Sequence, residues 1–182
     1  RRSSDLCGLY LTFPTKAHEQ VQMQVGLSYT SIENARNNRD TEVADKSFND
    51  VKNAARQIWN EMLGRIQVEG GTPEDKTKFY TGLYHALLGR GIANDINGQY
   101  IRHDKTIGQI PLDKNGIPLY SHHNTDGMWG GFWNLTQIWT LAYPEIYSSY
   151  IKSNLDFFKN SSWLHDGEAA GVYTNGVQTN FQ

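Results

Sequence analysis

The residues best suited to chemistry in this chain lie together in HHNTDGMWGGFWNLTQIW, residues 122–139. Three of the five tryptophans fall there (Trp129, Trp133 and Trp139), behind His122, His123 and one carboxylate, Asp126. Asn134 and Gln137 set amides beside the indoles. Such a set can bind a sugar, whose flat C–H faces pack on indole while its hydroxyls pair with carboxylates and amides. The same stretch also suits a buried helix. At 100° per residue Leu135, Ile138 and Trp139 share one face, and Trp133 and Asn134 lie away from it. Pattern alone leaves both readings open.

Other candidates carry less. Asp166 and Glu168 in HDGEAAGVYTNG are the carboxyl types that hydrolyse glycosides, one as acid and one as base. Two residues apart on a Gly-rich loop, however, they seldom flank one bond, and solvated loop acids are the plainer reading. Adjacent His122 and His123 are not a zinc helix of the H-E-x-x-H kind. Gly127, Gly130 and Gly131 do not form a phosphate loop. NDINGQY has turn oxygens without the ligand spacing of an EF-hand. His85 in LYHALL reads as a packed helix histidine, and Cys7 as a small core residue.

These residues must be held by elements that the sequence announces. Val21, Met23, Val25, Leu27 and Tyr29 alternate with Gln22, Gln24, Gly26 and Ser28, which predicts a strand with one wet face; LCGLYLTF reads as another. Thr30 and Glu33 suggest a capping box opening a short helix in SIENARNN. Ser47 and Asp50 suggest a second box, followed by Val51, Ala54, Ala55, Ile58, Trp59 and Met62 on one helical face, with Gly64 as a left-handed cap. Thr72-Pro73 opens a third helix carrying Phe79, Tyr80, Leu83, Tyr84, Leu87 and Leu88, closed by Gly89. Asn97-Gly98 and Asn115-Gly116 predict type I′ hairpins. A helix follows from about Gly131 to Tyr143. Pro144 begins another that carries Ile146, Tyr147, Tyr150, Ile151, Leu155 and Phe158. Strands precede helices, so two structural units are expected, with a boundary near residues 40–47.

Composition narrows the class. With 182 residues, 38% apolar and 20% charged, the chain has an ordinary globular make-up. A net charge of -2 argues against nucleic acid, which needs a basic face. No apolar run approaches a membrane span. A single cysteine excludes an internal disulfide. The start, without Met or a signal peptide, and the end at Gln182 read as cuts from something longer.

Four segments, in order, resemble one family. VGLSYTSIENARNN is similar to the ISxVSxENAxxN stretch near the end of the N-terminal β-sandwich of glycoside hydrolase family 92, the calcium-dependent exo-α-mannosidases. AARQIWNEMLGRIQVEGGTPEDKTKFYTGLYHALL resembles the family's linker and first barrel helix, and IANDINGQY its FSDxDGxY turn. GGFWNLTQIW stands where the family reads F-S-x-W-D-T-Y-R. Trp133 then matches the tryptophan, Asn134 replaces an aspartate that helps hold terminal mannose, and Gln137 replaces the arginine. The resemblance implies a mixed α and β fold: the C-terminal part of a β-sandwich (residues 1–42), a helical linker (43–72) and the first helices of an incomplete (α/α)6 barrel (73–182). It implies inverting removal of terminal α-linked mannose, in the α-1,2 linkage, from a mannose-containing glycan by an extracytoplasmic enzyme with calcium. The acid, base and calcium ligands are expected beyond Gln182, so no catalytic residue and no metal ligand is assigned here. Asp126, Trp133 and Asn134 are the expected sugar contacts, and Trp139 is expected in the core. The departures at Asn134 and Gln137 equally suit a non-catalytic glycan-binding relative.

Overall fold

The structure, a computed structural model, describes residues 10–88, 91–124, 130–131, 133–162, 164, 167–169 and 172–174. Within these residues it is mixed, with helices predominating and two small antiparallel sheets. The helices are α1 (Ile32–Glu42), α2 (Phe48–Leu63), α3 (Pro73–Leu88), α4 (Leu135–Ala142) and α5 (Pro144–Ser161). Strands β1 (Gln99–Ile101) and β2 (Ile107–Gln109) pair through Tyr100 opposite Gly108. Strands β3 (Gly167–Ala169) and β4 (Val172–Thr174) pair through Glu168 opposite Tyr173, where the sequence suggested only a loop.

Helix starts follow local chemistry. The Ser47 hydroxyl accepts from the Asp50 backbone N–H at 3.2 Å, and the Asp50 carboxylate accepts from the Ser47 N–H at 3.0 Å. Thr72 and Asp75 make the same reciprocal pair at 3.2 and 3.0 Å. Four otherwise orphaned backbone donors are thereby satisfied. In α1 the cap is Ser31, one residue later than Thr30, and its hydroxyl accepts from the Asn34 N–H. Gly64 keeps φ at -70°, so the left-handed cap does not form. The chain instead continues right-handed, with Arg65 N–H donating to Met62 O and Ile66 N–H to Leu63 O. Gly89 lies outside the described residues.

The expected strand at Val21–Tyr29 is not found, and Val21, Met23, Val25, Leu27 and Tyr29 are all exposed. Alternation prepares a strand, but only a neighbouring strand can pair its backbone, and the described residues supply none beside it. Of LCGLYLTF, the described residues Tyr10–Phe13 are likewise unpaired. Gly26 breaks the alternation for a reason: its backbone lies against α1, where an added Cβ would sit 2.0 Å from the Ala35 carbonyl oxygen.

The Asn-Gly turns form with another geometry. Gly98 N–H donates to Asp95 O and Asp95 N–H to Gln99 O, with φ of 81° at Gly98 alone. Asp113–Ile117 repeats this pattern, with φ of 80° at Gly116. A type I turn followed by one left-handed residue therefore replaces type I′, which needs two positive φ values. The turn that joins β1 to β2 is a third copy, Arg102–Thr106, with Lys105 in the left-handed place at φ 68°. Lysine there gives no turn signal in the sequence.

The core gathers Leu83 of α3, Leu135 and Trp139 of α4, Tyr143 at the junction, and Tyr150 of α5. Met62, Leu63, Ile66, Tyr80, Leu87 and Ile138 pack around it. Arg65 secures the junction: its guanidinium donates to Ala142 O at 3.1 Å and pairs with Glu145 at 2.5 Å. Burial pushes the Glu145 carboxyl up, but its own backbone N–H and Arg65 outweigh this and hold it below the usual range. The Tyr143 hydroxyl donates to Met62 O at 2.9 Å, tying the junction to the end of α2.

Candidate functional site

The aromatic stretch splits as its spacing allows. Trp139 is 2% exposed and Leu135 7%, and Ile138 packs against the same core. Trp139 lies edge-on to Tyr150, ring centres 5.4 Å apart. Trp133 is 64% exposed, and Asn134 beside it is exposed at the N-cap of α4. Asn134 makes no side-chain capping bond there. An indole and an amide thus stand together at one helix end while the helix behind them is anchored by its buried face. Gln137 is exposed one turn further along, with its amide oxygen 3.2 Å from the Thr136 hydroxyl. Asp126, Trp129 and Asp166 lie outside the described residues.

The segment leading to this region is built on two buried histidines. His122 and His123 are 3% and 6% exposed. The His123 backbone N–H donates to Ser153 Oγ at 3.0 Å, and that hydroxyl lies 3.1 Å from His122 Nδ1. His123 Nε2 is 3.0 Å from Ser149 Oγ, whose own proton goes to Ser121 O. Both serines face the segment from α5, spaced one helical turn apart. The two rings thus serve the packing of this segment on α5. His85 corrects the opposite way: it is exposed on α3, not packed.

Behind His122 stands Tyr100. The two rings stack with centres 4.0 Å apart. The Tyr100 ring also covers Gly108, where an added Cβ would meet it at 2.4 Å, so only glycine fits opposite. Burial raises the Tyr100 phenol above its ordinary pKa. Tyr120 donates to Asp156; burial and then that carboxylate push its phenol up further. Asn160 donates toward the Tyr100 hydroxyl at 3.5 Å. These groups form a polar seam along α5, facing Tyr100 of β1 and Tyr120, which sequence reasoning missed because the partners lie 36 and 60 residues apart.

Among the described residues there is no group of three or more His, Cys, Asp or Glu that could hold a metal ion. No helix among them is long and apolar enough to cross a membrane.

Comparison with known proteins supplies the wider frame. The family model for the glycosyl hydrolase family 92 catalytic domain matches residues 34–181. A solved family GH92 α-mannosidase of Bacteroides thetaiotaomicron superposes with TM-score 0.73 at 24% identity, covering 82% of this chain and 19% of that one. The structure of that enzyme in complex with mannoimidazole gives 0.70 at 25%, covering 79% and 18%. A family GH92 inverting mannosidase from the same bacterium gives 0.70 at 27%, covering 84% and 20%. The chain thus spans about a fifth of the length of the structures it matches. None of the curated proteins matches it.

Proposed function

Because the chain belongs to glycoside hydrolase family 92, we propose that its protein removes terminal α-linked mannose, in the α-1,2 linkage, from glycans with inversion. The observation that carries this reading is the match to the family's catalytic domain over residues 34–181. A mannoimidazole complex of one relative and the inverting activity named for another support the sugar and the stereochemistry. In inverting hydrolysis one carboxylic acid protonates the leaving oxygen, and a carboxylate across the bond activates water. We assign neither role to a described residue.

This chain's part is to hold sugar. Trp133 offers an exposed apolar plate and Asn134 an amide on a rigid helix end, with Asp126 as the third expected contact. An amide at Asn134 hydrogen-bonds hydroxyls without bringing a charge, so a neutral hexose suits it. In the same reading residues 1–42 belong to a β-sandwich, 43–72 to a helical linker and 73–182 to the start of an (α/α)6 barrel. The exposed apolar alternation of Val21–Tyr29 supports the first of these, since such a pattern suits one face of a strand once a sheet pairs with it. Calcium and an extracytoplasmic site complete the proposal, with ligands drawn from outside the described residues.

The experiment is hydrolysis by the full gene product of α-1,2-, α-1,3- and α-1,6-linked mannobiose, followed by NMR with and without a chelator. The expected result is release from the α-1,2 substrate, β-mannose as the first anomer, and loss of turnover on chelation. Residues 1–182 alone should give no turnover. First release of α-mannose would overturn inversion. Binding of mannobiose without hydrolysis would favour a non-catalytic glycan-binding relative, the reading that Asn134 and Gln137 in place of the family's aspartate and arginine also suit.

A further inference from the structure

The Asp95 carboxylate is 4% exposed and is the meeting point of two remote parts of the chain. Its Oδ2 accepts from Ser28 Oγ at 2.9 Å, from the Thr30 hydroxyl, and from Asn34 Nδ2 at 3.1 Å. Its Oδ1 accepts from Asn38 Nδ2 at 2.8 Å. The turn that carries Asp95 answers with bonds of its own. Asn97 Nδ2 donates to Asn34 Oδ1 at 3.0 Å, the Ile96 N–H donates to Asn38 Oδ1 at 2.9 Å, and Gln99 Oε1 accepts from Asn34 Nδ2 at 2.6 Å. Asn34 is the buried residue of α1, and Asn34 and Asn38 lie one turn apart on the same face. None of the four donors to Asp95 is a lysine or arginine. The joint is therefore a set of directional bonds at fixed angles, not a charge pair.

We infer that Asp95 is a positioning residue that seats α1 on the turn before β1, so that segment 28–38 moves as one body with the hairpin. Tyr100 follows five residues later and stacks on His122, which leads toward the sugar contacts. The contacts run from Asp95 through Asn34 to Asn97 and to Gln99 of β1, and by the stack of Tyr100 on His122 to the segment that precedes Asp126. Directional polar bonds suit this task because they specify one orientation, whereas an apolar patch would permit sliding. The effect on turnover rests on the glycosidase reading above; the effect on α1 does not.

The test uses the full gene product with Asp95→Ala, Asp95→Asn and Asn38→Ala, followed by hydrogen exchange and by kinetics on an aryl α-mannoside. In Asp95→Ala, exchange of residues 31–42 and 95–99 should rise roughly tenfold or more, while residues 135–161 stay protected. KM should rise by about threefold or more with a smaller change in kcat, the signature of a loosened binding wall. Asp95→Asn should be intermediate: its one oxygen can replace Oδ2, but its NH2 then meets the Asn38 amide, donor against donor. Should Asp95→Ala fail to fold, Asn38→Ala removes its bonds to Asp95, Ile96 and the Leu27 carbonyl and should release the same two regions to a smaller extent. Unchanged exchange in every variant, or an equal rise across residues 135–161, overturns the inference. An inactive wild-type enzyme would defeat the glycosidase reading, and the exchange result would still decide the role of Asp95.

Discussion

Trp139 and Trp133 are six residues apart and have opposite fates. Trp139 is buried at 2% exposure, and its indole N–H has no hydrogen-bond partner among the described residues. Its contribution is therefore packing, edge-on to Tyr150 and against Leu83, Leu135 and Tyr143. Trp139→Ala in the full gene product should cost about 3–5 kcal/mol, as for other buried large-to-small changes. Trp139→Phe should cost less, since it keeps a ring and removes a buried donor without a partner. Trp133→Ala should leave Tm nearly unchanged and, in the sugar-binding reading, raise KM. Asp126→Ala should lower kcat/KM by about tenfold, or roughly 1.4 kcal/mol. Thermal melts and steady-state kinetics on the same preparations check all four. Unfolding of the Trp133 variant with an intact Trp139 variant would reverse the two faces. This division was legible from 100° spacing. The burial of His122 and His123 was not, because their serine partners lie 26–31 residues away on another helix.

Helices α2 and α3 start where their caps say. Asp50 and Asp75 both sit below the usual carboxylate range. For Asp50 the Ser47 hydroxyl and then its N–H lower it; for Asp75 the Thr72 N–H and then its hydroxyl do so. A folded-state pKa below the unfolded one means that the group stabilises the fold above the unfolded pKa. That contribution is lost as pH falls through the folded value. The caps of α2 and α3 should therefore weaken on the acid side of about pH 4. Thr72→Ala in the full gene product should cost about 1 kcal/mol near neutral pH, with a lower Tm. Its deficit should shrink below pH 4, because the wild-type cap is then failing too. Melts from pH 3 to 7 on both proteins test this, and a deficit that is constant with pH would remove Asp75 from the cap. Caps were legible because both partners lie within four residues. Turn type was less so: Asn-Gly marked two turns correctly in place, but the pairing of flanking residues made them type I with one left-handed residue. The Lys105 turn carried no mark.

At the scale of the molecule, the helices are formed but many of their apolar faces are uncovered. Ile58 and Phe48 of α2, Leu141 of α4, and Leu155 and Phe158 of α5 are exposed, as is the whole apolar edge from Val21 to Tyr29. Val21, Met23 and Val25 share a groove of about 350 Å³ with Phe48 and Val51. Contiguous apolar surface of this kind drives association. Residues 1–182 expressed alone should be insoluble or loosely packed. Size exclusion and a thermal melt test this, and a sharp cooperative melt of a monomer would contradict it.

Local sequence determined the helices, the reciprocal caps of α2 and α3, the sites of the two Asn-Gly turns and the inward face of α4. Each depends on residues within about one or two turns of each other, where spacing alone sets which side chains meet. Tertiary structure decided the rest. It brought Ser28, Thr30, Asn34 and Asn38 onto Asp95 across 57–67 residues. It stacked Tyr100 on His122 and left Val21–Tyr29 without a partner strand among the described residues. Alternation states which face of a segment is apolar; whether that face becomes a strand in a sheet depends on a neighbour's backbone, which no local pattern encodes.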